Sequence, residues 1–274
     1  MNCAFLLSSC DNYEDTWDPF FRLLSKYWPD IPCPVYLNTE SKHYTPSVSL
    51  PFSVTTLNNP GKLYWSERML RALRSIPEDY VFLVLDDLFL KSPVDGESFA
   101  VLLEKMASKP DIASIQFNAS RAVQEGREAS PVGSKIVLSE VPRNGWKTLF
   151  NPTIWRKSVL MKWLRRHESI WGFELYGSQR ARFWNYRERV LSLDAPLVYD
   201  YLWVKNCSVI VNGKWLAEPA VDDLFSENGI AVDFDSRGRI TVEEYRSKSF
   251  RDVMKRYTPL QIVQRCFYRV CSFF

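Results

Sequence analysis

The feature that most constrains this chain is the run Tyr80-Val-Phe-Leu-Val-Leu85, six apolar residues in a row that end abruptly at Asp86-Asp87. A strand with one face in water alternates apolar and polar residues, so an uninterrupted run belongs to a strand covered on both faces, as in a parallel sheet flanked by helices. Other elements in the first half keep the same rhythm. Ala4 to Ser8, Val35 to Leu37, Val54 to Leu57 and Ile112 to Phe117 read as short strands. Between them, Phe20, Leu23, Leu24, Tyr27 and Trp28 recur at helical spacing after Asp18-Pro19, and Met69, Leu70, Leu73 and Ile76 do so after Ser66. Asp18 and Ser66 are the expected caps, with Pro19 at the first helical position. A further helix is expected over about 97 to 107. The alternation predicts an α/β fold, a Rossmann-like, mainly parallel sheet with helices on both sides.

The second half is different in character. Ile154 to Arg166 and Phe173 to Trp184 read as two basic helices, and Asn212-Gly213 is a strong hairpin signal. No repeat or low-complexity linker divides the 274 residues. One domain over 1–256 is expected, followed by a separate helix over 257–274.

Composition removes several classes. Apolar residues are 46% and charged residues 24% of the chain, the balance of a globular protein. No window approaches ~18 uninterrupted apolar residues, and Ala4 to Leu7 is too short for a signal peptide, so a cytoplasmic protein is expected. Six scattered cysteines without a CxxC pair, and only His43 and His167, supply neither a zinc site nor a disulfide framework. Triad chemistry is thinly supported for the same reason.

Charge is uneven. Residues 245 to 274 carry seven basic side chains against Asp252, net +6, which leaves −3 on residues 1 to 244 out of a total of +3. After Thr258-Pro259, Leu260, Val263, Phe267, Val270 and Phe274 recur at steps of three to four, behind Lys255 and Arg256. This basic amphipathic stripe suits either the surface of an anionic membrane or a face docked on the domain. No nucleic-acid-binding motif accompanies it, and nucleic acid is not the expected partner.

Two places carry chemistry. In an open α/β sheet ligands bind beyond the carboxyl ends of the strands, which is where Asp86 and Asp87 fall. Paired hard oxygen ligands on one short loop suit Mg²⁺ or Mn²⁺ bridging a diphosphate; turn hydrogen bonding to the backbone is the plainer role. The second place is Trp171-Gly172-Phe173-Glu174, a carboxylate near a helix start after an aromatic-glycine turn that suits a sugar ring. Glu174 is a candidate general base, Glu168 is its rival, and a helix-start charge beside a core tryptophan is the alternative.

Ser8-Ser9-Cys10-Asp11, Trp65-Ser66-Glu67-Arg68, the strand into Asp86-Asp87, Asn151-Pro152-Thr153-Ile154-Trp155 and Trp171-Gly172-Phe173-Glu174, in that order, resemble bacterial nucleotide-sugar-dependent glycosyltransferases of the GT-A fold. The resemblance covers approximately residues 4 to 216. It implies transfer of a sugar from a nucleoside diphosphate donor, a UDP-sugar first, to a glycan or lipid-linked glycan acceptor, as in capsule, O-antigen or lipopolysaccharide assembly. For such an acceptor, a place on the inner face of the cell membrane follows.

The resemblance further implies that Asp86 contacts donor ribose and, with Asp87, a divalent cation. Ser9, Asp11 and Asn38 would contact the donor, Arg68 would stabilise the leaving diphosphate, and Trp155 and Trp171 would meet the acceptor. Glu174 would be the catalytic base of an inverting displacement. Should no metal take part, Arg180 and Arg182 are further cations, unless they lie on a solvated helix face. The chain departs from the family's DxD at Leu88, which puts metal dependence in doubt, and the literal Asp233-Phe234-Asp235 reads as a surface turn. A glycan-binding module without catalysis, or a glycoside hydrolase using Glu168 and Glu174, are the other readings.

Overall fold

Alternation along the central strands decides the layering. A computed structural model describes residues 2–118, 135–184 and 186–247 of the chain. Strand β1 (Cys3–Ser8) lies parallel between β2 (Val35–Thr39) and β4 (Tyr80–Leu85), and β3 (Val54–Asn58) flanks β2. On β1, Phe5 and Leu7 enter one hydrophobic cluster while Ala4 and Leu6 enter the other; on β4, Phe82 and Val84 oppose Val81 and Leu83 in the same way. The apolar run is thus two interleaved faces, each buried against its own layer of helices.

Helices α1 (Glu14–Tyr27) and α3 (Gly96–Ser108) cover the first face, supplying Trp17, Phe20, Leu24, Phe99 and Leu102. Phe82 is the hub there, with rings of Phe5, Trp28, Phe99, Phe117 and Tyr199 at centroid distances of 5.0 to 6.3 Å. Helices α2 (Trp65–Ser75) and α4 (Lys157–Trp163) cover the second with Met69, Leu73, Leu160 and Trp163. The eight-stranded sheet runs β3-β2-β1-β4-β7-β5-β8-β6, where β5 is Ile112–Phe117, β6 Val137–Glu140, β7 Thr153–Arg156 and β8 Arg189–Ala195. Only β7 and β6 run antiparallel to their neighbours. This is the mainly parallel, helix-flanked α/β fold that the sequence predicts.

Three local expectations change. Helix α1 begins at Glu14, so Pro19 lies inside it, and Asp18 does not cap: its carboxylate accepts from Tyr44 Oη and Ser47 N, both at 3.0 Å. Ser66 is fully buried inside α2, where its hydroxyl donates to the carbonyl oxygens of Arg165 and Glu168. The expected helix from Ile154 starts only at Lys157, because Thr153 to Arg156 pair with both β4 and β5. Tertiary pairing overrides local preference in a segment with β-branched and aromatic residues.

The second half closes with a small sheet, β9 (Ile210–Val211), β10 (Lys214–Leu216) and β11 (Arg239–Ile240). Asn212 and Gly213 make the β9–β10 turn with φ of 52° and 75°, the left-handed pair that a tight hairpin requires. Among the described residues no helix is long and apolar enough to cross a membrane. The stripe over 258 to 274, and with it the helix expected at 257–274, lies outside the described residues.

Candidate functional site

Strand β4 carries its two carboxylates out of the sheet at the carboxyl ends of β1, β2 and β4, beside the turn Asp11–Tyr13 that leads into α1. Asp86 is 8% exposed and accepts a hydrogen bond from Ser9 Oγ, which in turn accepts from Trp17 Nε1 at 2.6 Å. Burial, and then the charge of Asp87, push the Asp86 carboxyl well above the usual range, against the Ser9 hydrogen bond and the nearby Arg237. Burial lifts Asp87 to about 6 despite an interaction with the Ser208 side chain. One carboxylate oxygen of Asp87 is buried and has no hydrogen-bond partner. Two desolvated carboxylates held this close repel each other, a repulsion that a cationic ligand would relieve.

Asp87 lines a cleft of about 500 Å³ together with Tyr13, Trp171, Trp203, Asn206 and Gly213. Trp171 is 71% exposed there. Asn206 comes from a turn in which Lys205 and Asn206 both hold left-handed backbones, φ 48° and 63°. Non-glycine residues adopt this conformation when surrounding structure imposes it. A second, adjoining cleft of about 490 Å³ shares Gly213 and contains Asp15, Lys42 and Arg237.

Arg237 joins the ends of the chain. It donates to both carboxylate oxygens of Asp15 and to the Asn12 carbonyl oxygen, and its guanidinium lies 4.3 Å over the Tyr13 ring. Burial opposes its charge, but Asp15 outweighs that and holds Arg237 above its usual range. The turn containing Asp233 and Asp235 does what a surface Asx turn does: Asp233 Oδ1 accepts from the N–H groups of Asp235 and Ser236 at 3.1 and 3.2 Å. Its effect is to present Arg237.

Glu174 lies in a π-helical segment, Phe173–Gly177, between the short α-turn Ile170–Gly172 and helix α5 (Ser178–Phe183). Ser169 caps the run by accepting from Gly172 N. The wide π turn changes the carbonyl pairing, and Thr148 Oγ1 contacts the carbonyl oxygens of Phe173 and Glu174 at 3.0 and 2.9 Å. That close approach needs glycine at 177, since a Cβ there would stand 2.9 Å from Thr148 Oγ1. The Glu174 carboxylate is half-buried and accepts from Phe150 N at 3.1 Å. Trp171 lines the cleft with Asp87; Glu174, one turn on, is not among its lining residues.

Other expected site residues have structural work. Ser9 is occupied in positioning Asp86. Both oxygens of Asp11 accept from the loop after β2; burial raises its pKa, but hydrogen bonds from Ser41, Thr39 and Lys42 outweigh this and hold it below the usual range. Asn38 is 1% exposed and accepts from Asn59 Nδ2 at 3.2 Å. The side chains of all three are engaged in hydrogen bonds within the protein, and only Asp11 lines either of the two clefts. Arg68 pairs with Glu40 at 3.0 Å and donates to the Leu63 carbonyl oxygen at 3.0 Å, with its Nε buried and unpartnered.

Trp155 is corrected from acceptor contact to core: it is 2% exposed, its ring 5.7 Å from that of Trp163. Arg180 is corrected from a solvated face to the interior, fully buried against Glu168, with Nη2 also donating to the Trp163 carbonyl oxygen at 3.0 Å. Glu168 is 2% exposed and bound by Arg180 and Arg165 N, which removes it as a rival base and removes the hydrolase pair that required it. Arg182 is exposed on α5. Tyr13, Trp203, Asn206, Ser208 and Arg237 were not legible as site residues. For Arg237 the available signal was a turn rich in Gly and Asp; nothing in it pointed to Asp15, 222 residues away.

No group of three His, Cys, Asp or Glu side chains suited to a metal occurs among the described residues. Asp86 and Asp87 stand as a pair of carboxylates at the end of β4, and one Asp87 oxygen has no hydrogen-bond partner among the described residues.

No protein-family model matches the chain, and no curated protein matches it. Among solved structures it is similar to S. aureus TarS at 13% identity and a TM-score of 0.46, over 74% of this chain and 36% of that one. TarS 1–349 in complex with UDP matches at 12% identity and a TM-score of 0.48, over 100% of this chain and 80% of that one. The galactosyltransferase LgtC, in complex with donor and acceptor sugar analogues, matches at 11% identity and a TM-score of 0.33, over 65% of this chain and 64% of that one. The chain thus spans about a third of the TarS chain it matches.

Proposed function

We propose that this chain is a GT-A-type glycosyltransferase that moves a sugar from a nucleoside diphosphate donor to a glycan acceptor. The observation that carries the reading is the cleft in which Asp87, at the carboxyl end of β4, faces the same space as the exposed ring of Trp171. A donor-side carboxylate and an acceptor-side aromatic platform in one opening are what a bisubstrate sugar transfer requires. UDP-sugar is the first donor to test.

In the inverting displacement proposed, the acceptor oxygen forms a bond to the anomeric carbon as the bond from that carbon to the diphosphate oxygen breaks. Glu174 takes the acceptor hydroxyl proton, its carboxylate oriented by the hydrogen bond it accepts from Phe150 N. Trp171 places the acceptor ring, and Arg237 with Arg68 faces the charge that gathers on the departing diphosphate. Mg²⁺ or Mn²⁺ held by Asp86 and Asp87 would neutralise diphosphate charge when bound. A lipid-linked acceptor and contact with an anionic membrane belong to the same reading through the stripe over 258 to 274. Full-length protein should then pellet with anionic vesicles at low salt, and a chain ending at Tyr257 should not.

Thermal shift with UDP and other nucleoside diphosphates, with and without Mn²⁺, tests the core of the reading, because a ligand of the folded state raises Tm. UDP should raise the Tm of the native chain, and Asp86→Ala and Asp87→Ala should lose the shift while remaining folded. Unchanged affinity in both variants overturns the donor site. Glu174→Gln should keep donor binding and lose about 10²- to 10⁴-fold in transfer rate; full activity in that variant removes Glu174 as the base.

A further inference from the structure

At the amino end of β8, away from the carboxyl ends of the parallel strands where Asp86 and Asp87 lie, a third cleft, polar and of about 340 Å³, opens between the 141–152 loop and residues 186–189. That volume is at the small end of the ~300–1,000 Å³ typical of small-molecule sites. Four cationic residues line it: Arg143, Lys147, Arg187 and Arg189. Its two carboxylates are already engaged, Glu140 with Arg189 at 2.8 Å and Glu188 with Lys162 at 2.7 Å.

Lys147 is the unusual member. It is 7% exposed, yet its ammonium has no hydrogen bond or ion pair among the described residues. Its Nζ is not itself a buried atom: the aliphatic stem is covered while the ammonium opens onto the cleft. Its position is fixed on the backbone side: the next residue, Thr148, donates through N–H to Ser178 Oγ at 3.1 Å, and its hydroxyl packs on the π segment. Arg143 spends Nε and one Nη on the Arg182 carbonyl oxygen, at 3.2 and 3.1 Å, which holds the guanidinium at the rim with donors to spare. Arg187 is exposed beside them. Arg143, Lys147 and Arg187 line one cleft and have no ion pair among the described residues, while Glu140 and Glu188 in the same lining pair with Arg189 and Lys162.

We propose that this cleft is a binding site for a phosphate dianion, with the Lys147 ammonium as the point charge at its floor and Arg143 and Arg187 as rim donors. The site is separate from the donor cleft and does not depend on the proposed transferase reading. The chemistry is that of free phosphate or of a phosphomonoester on a small molecule.

Calorimetric titration and thermal shift of the full chain with inorganic phosphate and with glucose 1-phosphate, at ionic strength held constant with NaCl, test it. The native chain should bind one of the two saturably. Lys147→Met and the exposed-site variant Arg187→Glu should each weaken binding about tenfold or more. The tighter of the two ligands identifies free or esterified phosphate as the natural form. No saturable response to either ligand overturns the proposal. So does a response unchanged in Arg187→Glu, whose fold does not depend on that side chain, because the phosphate then sits elsewhere.

Discussion

Two acidic places in this molecule share nearly the same burial and differ in what answers their charge. Glu168, 2% exposed, is gripped by the equally buried Arg180 and by Arg165 N. Asp86, 8% exposed, has Ser9 as its hydrogen-bond donor, and Asp87 keeps a buried oxygen with no hydrogen-bond partner among the described residues. The first arrangement is closed and locks α2, the 164–169 loop and α5 together through Ser66, Glu168 and Arg180. The second is open and opens onto a cleft. Burial alone therefore does not mark a functional carboxylate; burial without compensation does.

The largest expected effect breaks the closed side. Arg180→Met leaves Glu168 buried without a counter-charge and should cost about 3–5 kcal/mol of stability in chemical denaturation. A loss below about 1 kcal/mol would mean that water or a rearranged neighbour replaces the guanidinium. On the open side the sign should reverse. Asp87→Asn removes a charge whose pKa is lifted to about 6 by burial, so the variant should be as stable as the native chain or more stable by roughly 1–2 kcal/mol, while the UDP shift disappears. A clearly destabilised Asp87→Asn would place Asp87 with Glu168 as a structural acid. The smallest effect sharpens the same contrast with tryptophans. Trp171→Ala, at a 71% exposed position, should change stability by no more than about 0.5 kcal/mol and raise the acceptor KM. Trp155→Ala should cost about 3–5 kcal/mol by opening the core.

The fold was legible to the extent that it depends on short-range pattern. Strand β4 begins and ends where the apolar run does, β5 spans the expected Ile112 to Phe117, and the Asn212-Gly213 turn follows from two residues able to take positive φ. The errors came where a side chain had two eligible partners. Asp18 and Ser66 are good caps in isolation, but each finds a better-placed partner from a distant loop. Trp155 and Trp171 are the same residue type with the same local aromatic-rich context. Only the pairing of β7 between β4 and β5 puts one of them in the core.

What the sequence by itself determined is the α/β layering and the position of Asp86 and Asp87, because both follow from periodicity and from where a doubly buried strand must stop. What the tertiary structure decided is which charges are spent. Arg180 and Glu168 cancel each other 12 residues apart, and Arg237 reaches Asp15 across 222. Charge compensation acts through space over a few ångströms, and the order of residues along a chain does not carry that distance.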